Sequence, residues 1–257
     1  MSMMLVKDKI AIVTGSAQSD SMGAGIAKLF SENGATVICC DINENDVKKT
    51  SYEISQNTGY TTEGMYIDIT DERSVEQVVN KVKEKYGRID ILINNAGYNQ
   101  RAGVLDLTKE NFDLTFKINA WGTFNMMQKT AKVMKEQRSG RIVNIASCSG
   151  RKPCRGELAY GASKLAVMGM TQVGALELGE YNIRVNAVCP EATLCGMAKR
   201  HDLKTEEDIE NYKKKSALHR MGTPLDQAKV ALFLCSELAD HVTGELIVVS
   251  GGYFFNL

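Results

Sequence analysis

The sequence predicts an α/β fold, one doubly wound parallel sheet with helices on both faces, with residues 1–257 forming a single domain. Three observations predict it. Short runs rich in β-branched residues alternate with longer stretches of helical spacing along the whole chain. The runs are mostly apolar throughout, as expected of strands covered on both faces. A glycine-rich turn follows the first run, and an acid, Asp41, ends the second.

The elements follow in order. Ile10 to Val13 is the first strand and stops at Thr14 and Gly15; a helix carrying Ile26 and Phe30 follows and ends near Gly34. Thr36 to Cys40 stops at Asp41, and Gly64 to Ile67 stops at Asp68. Val75, Val78, Val79 and Val82 share one face of a helix that ends before Gly87. Ile89 to Ile93 stops at Asn94, and Thr108 caps a helix carrying Phe112, Phe116 and Asn119. Arg141 to Ile145 stops at Ala146 and Ser147, and Ile183 to Val188 stops before Pro190. Thr223, Pro224 and Asp226 form a helix start, with Thr as cap, Pro at the first position and an acid at the third. Leu246 to Val249 is the last strand. One polar segment, 191–218, breaks the alternation and carries its own start signal at Thr205 and Asp208. Lying beyond a late strand, it reads as a substrate lid or as a solvated helical excursion.

Charge and composition narrow the function. Lys plus Arg and Asp plus Glu each number 31, so the net charge is zero, which argues against nucleic acid or an anionic membrane as partner. Residues 1–9 lack the pattern of a signal peptide, and no apolar run approaches the ~20 residues of a membrane-spanning helix. Seven cysteines without a C-x-x-C pair point to reduced thiols and a cytoplasmic protein. The three histidines have no metal spacing, so no metal site is expected. Cys148, Cys154, Cys189 and Cys195 fall in the loops after strands, but with no histidine to serve them as base they read as small buried hydrophobes.

The turn from Thr14 to Gly25 is where chemistry is expected. Glycines let a backbone approach a pyrophosphate, and the next helix offers free N–H groups and the positive end of its dipole. A carboxylate at Asp41 can accept hydrogen bonds from both ribose hydroxyls and repels a 2′-phosphate, which favours NAD(H) over NADP(H). Tyr160 and Lys164 stand four apart, on one helix face. A phenol with a pKa near ~10 is a poor base at neutral pH, and an ammonium beside it favours the phenolate. The pair therefore fits proton transfer at an alcohol or ketone oxygen.

Taken together, Asn94-Asn-Ala-Gly97, Asn119, Ser147, Tyr160-Gly-Ala-Ser-Lys164 and the ending Val242-Thr-Gly244 with Ser250-Gly-Gly252 resemble the short-chain dehydrogenase/reductase family over nearly the whole chain. The resemblance implies a Rossmann-type domain, a nicotinamide dinucleotide, and a homotetramer or homodimer. It implies catalytic roles for four residues: Tyr160 as general acid/base, Lys164 beside it and on the nicotinamide ribose, Ser147 on the substrate oxygen, and Asn119 relaying protons through a water. Ser149 is a further substrate contact or a turn residue.

The turn departs from the common pattern: Ser21 replaces the middle glycine in a loop two residues longer, a Ser-Met-Gly variant similar to that of enoyl reductases and some hydroxysteroid dehydrogenases. By resemblance Gly15, Ser21 and Met22 lie on the phosphate side and Gly23 is a close-packing position. Asp68 meets the adenine with Ile69 beside it, and Asn94, Asn95 and Ala96 lie on the nucleoside side. A second departure puts Glu191 where the family has glycine and Cys195 where it has threonine, leaving Thr193 to contact the carboxamide.

The substrate is expected to be a small alcohol or ketone: a sugar or polyol, bare or phosphorylated, or alternatively a hydroxysteroid. Arg151, Lys152 and Arg155, with Lys199, Arg200, Lys213, Lys214 and Lys215 in the lid, are candidate anion contacts or a solvated basic rim. A non-catalytic NAD-sensing module on the same fold is the reading from another class.

Overall fold

Strand residues of alternating parity feed two separate hydrophobic layers. Ala11, Val13, Val37, Cys39, Ile91 and Ile93 pack with Ile26, Phe30 and Leu232 on one face; Ile12, Ile38, Cys40 and Leu92 pack with Val75, Val79, Val82, Met126 and Met134 on the other. Only a sheet covered on both sides consumes both parities of its strands. The computed structural model describes residues 4–195 and 205–254.

Seven strands form one sheet: β1 (Ile10–Thr14), β2 (Thr36–Asp41), β3 (Thr62–Tyr66), β4 (Ile91–Asn94), β5 (Gly140–Ile145), β6 (Ile183–Pro190) and β7 (Leu246–Val249). All pairings are parallel, in the order β3-β2-β1-β4-β5-β6-β7. The chain winds outward from β1 in one direction and from β4 in the other. The switch point between β1 and β4 opens a crevice beyond their C-terminal ends, where ligands bind in such sheets.

The described helices are α1 (Met22–Glu32), α2 (Glu44–Thr58), α3 (Glu72–Tyr86), α4 (Lys109–Phe116), α5 (Thr123–Gln137), α6 (Leu158–Leu178), α7 (Glu206–Lys215) and α8 (Pro224–Cys235). Their ends follow the sequence signals. Thr108 caps α4, accepting the Asn111 N–H. Thr205 with Asp208 and Thr223 with Asp226 close reciprocal capping boxes, each satisfying two backbone N–H groups. The expected valine stripe of α3 is buried.

Two elements differ from expectation. The third strand begins at Thr62 rather than Gly64 and ends at Tyr66. Gly64 sits inside it because α2 crosses so closely that a Cβ there would stand 2.6 Å from Lys48 Cα. The helix expected to run from Thr108 through Asn119 is interrupted: residues Lys117–Gly122 form a π turn between α4 and α5, and Asn119 lies in it. Such turns insert one residue and re-aim side chains, and they recur at functional sites.

Candidate active site

The glycine turn is lashed to the β4 end by side chains. Thr14 Oγ1 accepts the backbone N–H of Asn95 at 3.0 Å and of Ala96 at 3.1 Å. Asn95 Nδ2 donates to the carbonyls of Thr14 and Gly15, at 3.0 and 2.9 Å. Gly15 has φ +69°, and a Cβ there would lie 2.7 Å from Ala96 Cα; a Cβ on Gly23 would lie 2.3 Å from Gly15 O. Only glycine fits either position, which bears out Gly23 as a close-packing site. Ser21 caps α1, its Oγ accepting the Ala24 N–H at 3.1 Å. The hydroxyl hydrogen stays available to donate elsewhere. Asp41 is aimed by two backbone bonds, from Ala17 N at 3.0 Å and Asn43 N at 3.1 Å.

A cavity of about 810 Å³ lies over this crevice, and it gathers most of the residues singled out by sequence: Gly15, Ser21, Met22, Asp41, Asn95, Ala96, Ser147, Tyr160, Lys164 and Thr193. Four others lie off its wall. Asp68 Oδ1 accepts from the N–H and hydroxyl of Thr70, both at 2.8 Å. Ile69 is buried, with its carbonyl bonded to Asn125 Nδ2. Asn94 is buried, donating to Asn144 Oδ1 at 2.9 Å, so of the two neighbouring asparagines only Asn95 reaches the cavity. Asn119 is also buried, behind the lining.

The residues expected to carry proton transfer come from three elements. Ser147 lies two residues beyond β5, its Oγ accepting the Ser149 N–H at 3.1 Å, while Tyr160 and Lys164 occupy consecutive turns of α6. Lys164 is 4% exposed; its Nζ donates to Ile145 O at 2.8 Å and stands 5.7 Å from the centre of the Tyr160 ring. Burial pulls its pKa down from 10.5 to about 8. Asn119 Oδ1 accepts Tyr98 N at 2.8 Å, and its Nδ2 donates to Tyr98 O and Ser163 Oγ, both at 2.9 Å. Asn119 Oδ1 and Lys164 Nζ both lie 3.5 Å from where a Gly97 Cβ would sit, so both groups border the space that this glycine leaves open.

Beyond Ser147 and Tyr160 the wall becomes highly polar. Lys152 Nζ lies 3.3 Å from Glu191 Oε1 and 3.7 Å from the centre of the Tyr253 ring. Tyr253 stacks on Tyr212 of α7, with ring centres 4.5 Å apart and planes 7° from parallel. Glu157 Oε1 accepts from Arg101 Nη2 at 2.8 Å and from Asn99 Nδ2 at 3.2 Å. Thr193 is buried, its hydroxyl donating to Glu191 O and accepting from Gln227 Nε2. Burial pushes the cysteine thiols up, Cys189 to about 11 and Cys148 further, which removes them as nucleophiles at neutral pH. Of the basic residues expected near substrate, Lys152 and Lys215 line the cavity, Arg155 is exposed, and Lys213 pairs with Glu210. Lys199 and Arg200 lie outside the described residues.

A family described as enoyl-(acyl carrier protein) reductase matches residues 15–254. A NAD-dependent glycerol dehydrogenase of Listeria innocua is 39% identical over 96% of this chain and 94% of its own length. The chain belongs to the short-chain dehydrogenase/reductase family. It is thus an oxidoreductase of a family that binds a nicotinamide cofactor. Within the family it is also similar to a 3-oxoacyl-[acyl-carrier-protein] reductase of Thermotoga maritima, at 36% identity over 97% of this chain and 99% of the other. Among solved structures, a 7α-hydroxysteroid dehydrogenase in complex with NADH and 7-oxo glycochenodeoxycholic acid superposes with a TM-score of 0.91, 32% identity and coverage of 97% and 96%.

Asn99, Arg101, Glu157, Tyr212 and Tyr253 line the cavity of this oxidoreductase without having been singled out from sequence. A weak signal existed for Asn99 and Arg101, since they follow the β4 end directly and so lie on the ligand-binding edge of the sheet. Tyr253 and Tyr212 had none. They meet because Ser216 Oγ and the Leu218 N–H both bond Gly251 O, drawing the chain after β7 onto the end of α7.

Proposed function

We propose that this enzyme interconverts a secondary alcohol and a ketone with NAD(H) in preference to NADP(H), and that its substrate is a sugar or polyol, bare or phosphorylated. The observation that carries the substrate reading is the polar wall beyond Tyr160, built from Lys152, Glu157, Arg101, Glu191, Asp208 and Lys215. A steroid needs an extended apolar wall there. The likeness to a hydroxysteroid dehydrogenase keeps that alternative as the competing arm of the test.

The turn fits a dinucleotide, because a Cβ at Gly15 or Gly23 would close the approach that a pyrophosphate needs. Gly15, Ser21 and Met22 would hold the phosphates, Asp41 the ribose hydroxyls, Asp68 and Ile69 the adenine, Asn95 and Ala96 the nucleoside, Tyr160 and Lys164 the nicotinamide ribose, and Thr193 the carboxamide. When bound, the nicotinamide exchanges hydride with the carbinol carbon.

The chain's own residues supply the rest. Ser147 donates its hydroxyl hydrogen to the substrate oxygen and fixes it beside the phenol. In reduction Tyr160 gives its proton to the oxygen as charge develops there; in oxidation it takes the alcohol proton. The Lys164 ammonium stabilises the phenolate left on Tyr160. Asn119, set by the π turn, carries the proton path from Lys164 outward through a water. The complete set Asn119, Ser147, Tyr160 and Lys164 favours catalysis over a non-catalytic NAD sensor.

The described parts of the 191–218 segment would act as the lid, since Glu191, Asp208, Asn211, Tyr212 and Lys215 all face the cavity; residues 196–204 lie outside the described residues. Exposed Leu165, Val173 and Leu176 on α6 offer an apolar face for a second copy, consistent with a homodimer or tetramer; sedimentation as a monomer at micromolar concentration would remove that assignment. Seven free thiols suit a cytoplasmic enzyme.

The deciding experiment follows NADH absorbance across polyols, sugars, their phosphates and hydroxysteroids. Turnover of steroids but of no polyol or sugar would replace the substrate reading, and no turnover alongside tight NADH binding would favour the sensor.

A further inference from the structure

Among the described residues, the charged side chains at the substrate end of the cavity are balanced. Arg101, Lys152 and Lys215 face Glu157, Glu191 and Asp208 there. Two of these cations are held directly against carboxylates: Arg101 on Glu157 at 2.8 Å and Lys152 on Glu191 at 3.3 Å. The second pair is set apart by its surroundings. Lys152 comes from the loop after β5, Glu191 from the end of β6, Tyr212 from α7 and Tyr253 from the chain after β7, and the four converge on one wall. Glu191 occupies a position where the resemblance calls for glycine. Its side chain is 15% exposed and that of Lys152 is 28% exposed. Both are thus partly shielded from water yet face the cavity that holds Ser147 and Tyr160.

We propose that Glu191 and Lys152 form a specificity-determining charge pair that selects an uncharged polyhydroxy substrate over its phosphate ester. The inference rests on the alcohol–ketone reading above and narrows its substrate class. A carboxylate accepts hydrogen bonds and an ammonium donates them, so together they can bind vicinal hydroxyls, each of which does both. The Tyr253 ring holds the ammonium from the side, which leaves Lys152 less able to swing towards another anion. A phosphate brought to this wall gains Lys152 only by competing with a carboxylate already at 3.3 Å, and it meets the repulsion of Glu191. Glu191 therefore silences Lys152 as a phosphate site. The residue that departs from the family pattern is the one that carries the selection.

The test removes the carboxylate charge and reads what Lys152 then does. Full-length wild type, Glu191→Gln and the double variant Glu191→Gln/Lys152→Met are compared with NADH saturating, so that the pyrophosphate side is filled. Inorganic phosphate is titrated as an inhibitor of whichever ketone the enzyme reduces. Glu191→Gln should bind phosphate at least tenfold more tightly than wild type, and the double variant should return to the wild-type value. Where a polyol and its phosphate ester are both turned over, the ratio of their kcat/KM values should move at least tenfold towards the ester in Glu191→Gln alone. A gain of anion binding is not what misfolding produces, and a melt of each NADH complex checks the fold. Unchanged phosphate inhibition in Glu191→Gln, or an equal gain in the double variant, overturns the proposal. Failure of the substrate reading looks different: wild type would reduce only steroids or other apolar ketones, while the phosphate titration still reports on the charge pair.

Discussion

Replacing Lys164 with methionine should make the cofactor-free protein more stable while abolishing turnover. The reason lies in how the lysine is housed. Its ammonium is fully buried, with one hydrogen bond to the Ile145 carbonyl, and burial lowers its pKa from 10.5 to about 8. At about 1.4 kcal/mol per pKa unit, keeping it charged in the fold costs about 3.5 kcal/mol at neutral pH. Methionine has similar length and no charge to bury, but it forfeits the bond to Ile145 O, worth about 1.5–3 kcal/mol for a charged donor. The net gain is about 0.5–2 kcal/mol, which at this chain length raises Tm by about 1–8 °C. The sign of the pH dependence is fixed by the depressed pKa. Below pH 8 the lysine is charged both folded and unfolded, so the cost is present in full. Between pH 8 and about 10.5 the folded protein sheds its proton first, so the cost fades. The Tm difference between variant and wild type should therefore be widest at pH 6–7 and narrow as pH rises to 9.5. Taking the difference cancels every other titrating group. Melts followed by far-ultraviolet circular dichroism across that range make the test. A variant no more stable than wild type at pH 6–7, or a gap that does not change with pH, would refute the argument.

Three further outcomes follow from the site. Tyr160→Phe loses one ribose hydrogen bond, so it should keep NADH affinity within about tenfold, read by fluorescence titration, and lower kcat by about 10²- to 10⁴-fold; near-normal turnover would remove Tyr160 as the proton donor. Asp41→Ala loses the carboxylate that repels a 2′-phosphate, so the kcat/KM preference for NAD over NADP should shrink at least tenfold, about 1.4 kcal/mol. An unchanged preference would show that the discrimination lies elsewhere. Gly23→Ala puts a methyl 2.3 Å from Gly15 O, and the turn must open to admit it. It should cost about 1–3 kcal/mol in stability and weaken NADH binding at least as strongly; a wild-type melt and affinity would mean that the turn has slack that the packing does not show.

The sheet was legible because buried parallel strands leave a plain mark. Val13, Ile38 and Ile93 have no solvent side, and each lies in an uninterrupted apolar run. The exception is β3, one of the two edge strands, where Thr62 and Glu63 carry polar side chains that hide its start. Helix starts at Thr108, Thr205 and Thr223 were readable because capping is local chemistry, decided within four residues. The π turn at Asn119 was not readable, since one inserted residue barely disturbs a helical period that resumes in α5. Asn94 and Asn95 differ for a reason of parity: adjacent residues at a strand end point to opposite sides, so a shift of one exchanges a sheet-bound amide for one facing the cavity. Tyr212 and Tyr253 are 41 positions apart in the numbering and meet only through loop packing, for which no local pattern exists.

The same division explains how the enzyme tolerates its departures. Tyr160 and Lys164 are fixed by α6 against β5, and Asn119 by the π turn against Tyr98 and Ser163. None of these contacts involves Glu191. Its carboxylate is directed along the wall to Lys152, and burial pushes its pKa up only as far as that ammonium allows. A charge introduced at a glycine position would be costly if left alone in a closing cavity. Matched by Lys152, it is accommodated, and the pair changes what the cavity will accept without moving the group that transfers the proton. Chemistry resides on the sheet and its covering helices, selection on the loops beyond them. Substitutions at 152 and 191 should therefore retune substrate choice at constant proton-transfer machinery, whereas no change there can restore activity to a chain lacking Tyr160.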